Sequence, residues 1–209
     1  HLIQDTSWPD YEQIPSWIML GYTTMVYEAL SQMKSLGYDR PTHVFLQAGV
    51  GSMAGAVTAA LKATYPDDMP VVACVEPTEV ACVFESMKAR DGKPHTSTGN
   101  NTTIMAGLNC ATPCGLAWDY LRDYSDYAFA VTDDITRQGM RLLAHPQDKD
   151  PKVVSGESGA VTTGLVNALL NNPSYKDMKE QIGLDESSVI LVFSTEGDTD
   201  PENYRRIVD

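Results

Sequence analysis

Short apolar runs alternate with longer amphipathic stretches along the whole chain. Residues 14–36 carry Ile18, Tyr22, Met25 and Ala29 at helical spacing, with Pro15 in the first turn and Gly37 just past the end, so the pattern predicts a helix. Residues 42–47 (THVFLQ) are too short and too apolar for a surface helix and predict a buried strand. A second helix is expected over 53–65, a strand over 71–76 (VVACVE) and a helix over 79–89. Residues 90–104 are polar and contain glycine, the composition of a loop. Further on, the pattern predicts a helix over 117–124, a strand over 127–131, and a helix opened by residues 132–134 and running to about 143. A charged loop follows over 146–153, then a long helix opening at 156–160 and ending at 170, and a shorter one over 174–182. The last strand is 189–193 (VILVF). Strands alternating with helices favour a single α/β domain over 1–209, an open and mostly parallel sheet with helices on both faces.

The chain has 209 residues and 43% hydrophobic residues, enough for one substantial core. No apolar run reaches the roughly 18 residues of a membrane span. The first residues, HLIQD, lack the basic start and apolar stretch of a signal peptide, and no Met opens them, which reads as a segment of something longer. The formal net charge of −13 argues against nucleic acid and against anionic membrane as partners. It leaves a phosphate ligand open, because backbone N–H groups at a helix N-terminus hold phosphate without basic side chains. Cys74, Cys82, Cys110 and Cys114 include one Cys-x3-Cys spacing with no histidine beside it, so no metal site is expected. Reduced, buried thiols in a cytoplasmic protein are the plain reading.

Three turns carry candidate chemistry. Residues 47–55 (QAGVGSMAG) follow a strand and open a helix, where glycines let the backbone approach a ligand and the first helical N–H groups point at an anion. The third glycine falls one position late for a dinucleotide fingerprint, and no Gly-Lys-Ser/Thr completes a Walker loop. A phosphate cup and a tight turn with glycines for packing both remain open. Residues 155–160 (SGESGA) open another helix, read most simply as a capped start with Ser155 as N-cap and Ser158 solvated. Residues 193–200 (FSTEGDTD) place polar groups beyond the carboxyl end of an apolar strand, where open α/β sheets bind ligands, or form an acidic surface loop.

These turns occur in the order seen in the second half of pyridoxal-phosphate (PLP) enzymes of the tryptophan-synthase-β fold, fold type II. The chain resembles the diaminopropionate ammonia-lyases in particular, through QDTSW (4–8), IPSWIMLGYTTMVYE (14–28), QAGVGSMAGA (47–56), TIMAGLNC (103–110), SGESGAVTTGL (155–165) and STEGDTDPENYRRIV (194–208). The resemblance implies PLP as cofactor, with Gly49, Val50, Gly51, Ser52 and Met53 cradling its phosphate. It implies a hydroxyl of Ser194, with Thr195 as the alternative, on the pyridine nitrogen. A hydroxyl there leaves that nitrogen largely unprotonated and suits elimination of a β-substituent. Asp5 matches the carboxylate of the QDTSW stretch and would contact a substrate ammonium. Glu157 would sit near the ring face. Cys82 and Cys110 fall where members of the family can carry a cysteine pair, which implies a possible disulfide. A small amino-acid substrate and a homodimer are implied as well.

One departure counts against activity of this chain alone. The family's Schiff-base lysine lies in its N-terminal half, and no lysine here matches that motif. The expectation is therefore the C-terminal half of an enzyme that converts 2,3-diaminopropionate to pyruvate and ammonia, inactive without the other half. A threonine or serine dehydratase, a cysteine-synthase-like transferase, and a non-catalytic folded fragment are the rivals.

Overall fold

Four apolar segments pair side by side in the computed structural model, which describes residues 3–209. They are β1 (His43–Gln47), β2 (Val71–Pro77), β3 (Tyr127–Val131) and β4 (Ile190–Val192), in the order β3-β2-β1-β4. Every pairing is parallel, with Val44 opposite Val72 on one side and Leu191 on the other. A parallel pair needs a crossover, and helices supply it: α1 (Gln13–Ser35) leads into β1, and α2 (Ser52–Thr64) joins β1 to β2. The short α3 (Cys82–Ala89) and α4 (Gly115–Tyr124) lie between β2 and β3. Then α5 (Asp133–Ala144), α6 (Glu157–Asn171) and α7 (Lys176–Ile182) lead to β4, and α8 (Pro201–Val208) closes the chain.

Alternation along the strands sorts the core into two layers. Val44, Leu46, Val72 and Cys74 point to the face covered by α1, α2 and α4, where they meet Val26, Val57, Leu61, Ala117 and Leu121. Phe45, Ala73 and Val75 point to the other face, against Val161, Leu165 and Leu169 of α6 and Ile182 of α7. Helices thus cover both faces, as the pattern predicted. On the second face α5 and α6 pack backbone to backbone. A Cβ added at Gly139 would lie 2.2 Å from the Ala160 carbonyl oxygen, and one at Gly164 would lie 2.0 Å from that of Ile135.

The predicted helix over 79–89 splits in two, a 3-10 turn over Thr78–Val80 and then α3. The break follows from a buried carboxylate: Glu76, fully buried at the end of β2, accepts the backbone N–H groups of Val83 (2.9 Å) and Phe84 (2.6 Å) and so fixes where α3 begins. Residues 90–104 hold no helix or strand, as expected. The helix α8 was not predicted. Among the described residues no helix is long and apolar enough to cross a membrane.

Candidate functional site

Because all four strands run the same way, their carboxyl ends share one edge, and the loops that leave them meet there. The loop after β1 turns through Gly51, whose φ of +86° is a left-handed conformation that a glycine adopts without strain. The chain enters α2 directly from that residue, and no side chain caps the helix. Its first N–H groups therefore face outward with the dipole of a 13-residue helix behind them. They open onto a cavity of about 300 Å³ lined by Gln47, the 48–54 loop and helix start, Asp5, Tyr22, Gly107, Leu108, Cys110 and Thr195.

Links between four pairs of segments hold this cavity together. The Ser52 hydroxyl donates to the Asp5 carbonyl at 2.6 Å, which pins the 4–8 segment over the loop. Further along, Ser7 Oγ accepts the Leu116 N–H at 3.0 Å and fastens the same segment to the start of α4. The Gln47 amide, buried at the end of β1, donates to the Phe193 carbonyl (2.7 Å) and to Thr195 Oγ1 (2.9 Å), which ties the β4 exit to the β1 exit. Finally, the Gly107 N–H donates to Ser158 Oγ at 3.1 Å and brings the 103–110 stretch against the start of α6.

Of the residues singled out in the sequence, Gly49, Val50, Gly51, Ser52, Met53, Asp5 and Thr195 come together on this cavity. Burial, and then the nearby Asp5 carboxylate, push up both the Tyr22 phenol and the Cys110 thiol. Ser194 is not among the lining residues; its hydroxyl donates to Ser155 Oγ at 2.8 Å. Glu157 is buried at the start of α6, its carboxylate accepts from the Asn203 side chain of α8, and it does not line the cavity.

Three smaller expectations are corrected. The N-cap of α6 is Gly156 and not Ser155, which is fully buried. Ser158 is likewise buried, since its hydroxyl serves Gly107 and its N–H donates to the Glu196 carboxylate. Thr132 does hold the N-cap position of α5 but makes no side-chain capping bond.

The Cys82–Cys110 bridge is not made: all four cysteines are free. Both nonetheless flank Gly49. The Cys82 thiol donates to the Gly49 carbonyl at 3.4 Å, and Cys110 Sγ lies 3.4 Å from where a Cβ on Gly49 would stand.

Sequence reasoning did not single out the lining side chains Tyr22 and Gln47. Tyr22 was read only as a core position of α1, because its spacing matches the buried stripe. Gln47 had a legible signal, a polar residue closing an otherwise apolar strand. No lysine lines the cavity, and no group of three or more His, Cys, Asp or Glu among the described residues could hold a metal ion.

The arrangement can hold a phosphorylated ligand. The uncapped helix start offers N–H groups to a phosphate, and Thr195 adds a hydroxyl to the same lining.

Comparison with known proteins agrees with this geometry. The family model described as "Pyridoxal-phosphate dependent enzyme" matches residues 4–193. The chain is 42% identical over 208 residues to a diaminopropionate ammonia-lyase of Salmonella typhimurium, covering 99% of this chain and 52% of that protein. A crystal structure of the Escherichia coli diaminopropionate ammonia-lyase, in complex with an aminoacrylate–PLP azomethine reaction intermediate, superposes with a TM-score of 0.90 at 42% identity, covering 99% of this chain and 51% of that one. Maize serine racemase, at 23% identity and a TM-score of 0.69 over 90% of this chain and 52% of its own, shares the fold. The chain spans about half the length of the curated relatives it matches.

Proposed function

Because the chain belongs to the pyridoxal-phosphate dependent enzyme family, we propose that it is one α/β unit, the C-terminal half, of an ammonia-lyase that converts 2,3-diaminopropionate to pyruvate and ammonia. The observation that carries this reading is the uncapped start of α2 behind Gly51, facing a cavity that also holds Asp5 and Thr195. The 42% identity to diaminopropionate ammonia-lyases supports the substrate.

In this reading the N–H groups of residues 49–53 hold the phosphate of PLP, and a hydroxyl at the β4 exit, Ser194 or Thr195, meets the ring nitrogen. Bound PLP supplies an electron sink for the charge left when the substrate α-proton is removed. The Asp5 carboxylate draws the cationic end of the diamine to the mouth of the cavity and holds it by a charge-assisted bond. Tyr22, beside it, excludes water from that contact. The lysine that would bind PLP covalently comes from the other half of the enzyme, so this chain by itself binds PLP noncovalently and turns nothing over. Four free thiols support a reducing, cytoplasmic setting, and an exposed apolar face on α1 supports a homodimer.

The test is pyruvate release by the complete protein with 2,3-diaminopropionate, threonine and serine offered in parallel. Release from the diamine is expected. Turnover of threonine with none of the diamine would replace this reading with a dehydratase.

A further inference from the structure

Gln47 ends β1 and is 3% exposed, and its amide does more than join two strands. The Phe193 carbonyl, 2.7 Å from Nε2, can only accept. That fixes which way round the amide lies, since the opposite orientation would set oxygen against oxygen. The second Nε2 proton goes to Thr195 Oγ1 at 2.9 Å, so the hydroxyl accepts in this pair and keeps its own proton to give. No acceptor among the described residues takes that proton. Gln47 Oε1 is buried with no hydrogen-bond partner among the described residues, so the two donated bonds hold the amide in place. Thr195 lines the cavity beside the phosphate-type loop, whereas the Ser194 hydroxyl is turned to Ser155.

Resting on the function proposed above, we propose that Gln47 is a positioning residue: it makes the Thr195 hydroxyl a hydrogen-bond donor toward the cofactor's ring nitrogen and so keeps that nitrogen unprotonated. A ring nitrogen without a proton accepts from the hydroxyl. A protonated one would take the second lone pair of the oxygen to which Gln47 already donates and would leave the hydroxyl proton unpaired. The direction of one buried amide thereby selects Thr195 over Ser194 and sets how strongly the cofactor withdraws electrons.

The experiment is the nitrogen NMR shift of PLP carrying 15N in its ring, bound to the complete protein. The wild type is expected in the unprotonated, hydrogen-bonded range. Gln47→Glu, whose ionised side chain can only accept, should draw the Thr195 proton to itself and move the shift with PLP still bound. Gln47→Met carries the same test should the glutamate variant not fold. At the exposed Thr195, Thr195→Val should move the shift and Thr195→Ser should restore it, while Ser194→Ala should leave it unchanged. A protonated nitrogen in the wild type, wild-type shifts in both Gln47 variants, or a shift that follows Ser194 and not Thr195 would each overturn the assignment to Gln47 alone. Failure of the wild type to bind PLP would overturn the functional reading together with it.

Discussion

At Gly51 two constraints coincide: φ is +86°, and an added Cβ would stand 2.8 Å from Leu121 Cδ1 in the core. Left-handed backbone costs an L-residue roughly 1–2 kcal/mol, and overpacking typically adds about 1–3 kcal/mol. Gly51→Ala is therefore expected to lower unfolding free energy by roughly 2–5 kcal/mol in urea titrations and to weaken PLP binding, because the same turn aims the α2 N–H groups. Glu76 makes a different single-residue prediction. Burial, outweighing the two backbone N–H groups it accepts, pushes its carboxyl from the ordinary value near 4.5 up to about 8. A folded value above the unfolded one means that the folded state binds the extra proton between them. The stabilisation is complete below about 4.5 and is lost as pH rises through about 8. Thermal scans across that window should show stability falling with pH by an amount on the order of a few kcal/mol. Glu76→Gln should flatten the slope; an unchanged slope would mean that Glu76 is ionised in the fold throughout.

Among the elements, α8 shows how a short helix earns its place through one polar contact. Asn203 projects to the buried Glu157 carboxylate at the start of α6, while Tyr204, Ile207 and Val208 pack with Met140 and Ala144 of α5. Asn203→Leu should leave that carboxylate without its donor and cost roughly 1–3 kcal/mol, read by denaturant unfolding. Little change would show that Glu157 finds another partner. The strands and most helices were legible within one or two residues, because short apolar runs, β1 and β2 buried almost throughout, set between amphipathic stretches leave few other readings. What was lost came from polar residues that act across the chain. The start of α8 was marked by Asp200 as N-cap and Pro201 at the first helical position, and Tyr204, Ile207 and Val208 stand at helical spacing, but eight residues are too short a window for that spacing to stand out. Glu157 and Ser158 were legible as a helix start, yet neither lines the cavity, because their side chains are taken by Asn203 of α8 and by Gly107, both distant in sequence. The glycine loop, Asp5 and Thr195 were legible as candidates because each sits in a short motif; Gln47 showed only as the polar end of an apolar strand, and Tyr22, one side chain inside a regular helix, was not legible.

On the scale of the molecule the charge is strongly negative, yet one face is apolar. Trp17, Leu20 and Tyr27 on α1 are 61%, 65% and 51% exposed, and Leu20 borders a groove of about 290 Å³ shared with Ala56, Ala59, Leu116 and Tyr120. If this face joins two copies, Leu20→Lys should halve the mass seen by sedimentation equilibrium while leaving circular dichroism unchanged; an unchanged mass would place the dimer contact elsewhere. The strand order has a consequence in time as well. The last strand in sequence, β4, pairs only with the first, β1, and the amide that fastens its exit is 148 residues away from Thr195 in sequence. A chain emerging from the ribosome can therefore assemble β1, β2 and β3 and much of both helical layers before the Thr195 wall of the cavity exists. Cofactor captured during synthesis would arrive at an open shelf, and retention of it would report that β4 and the turn after it had been made and docked.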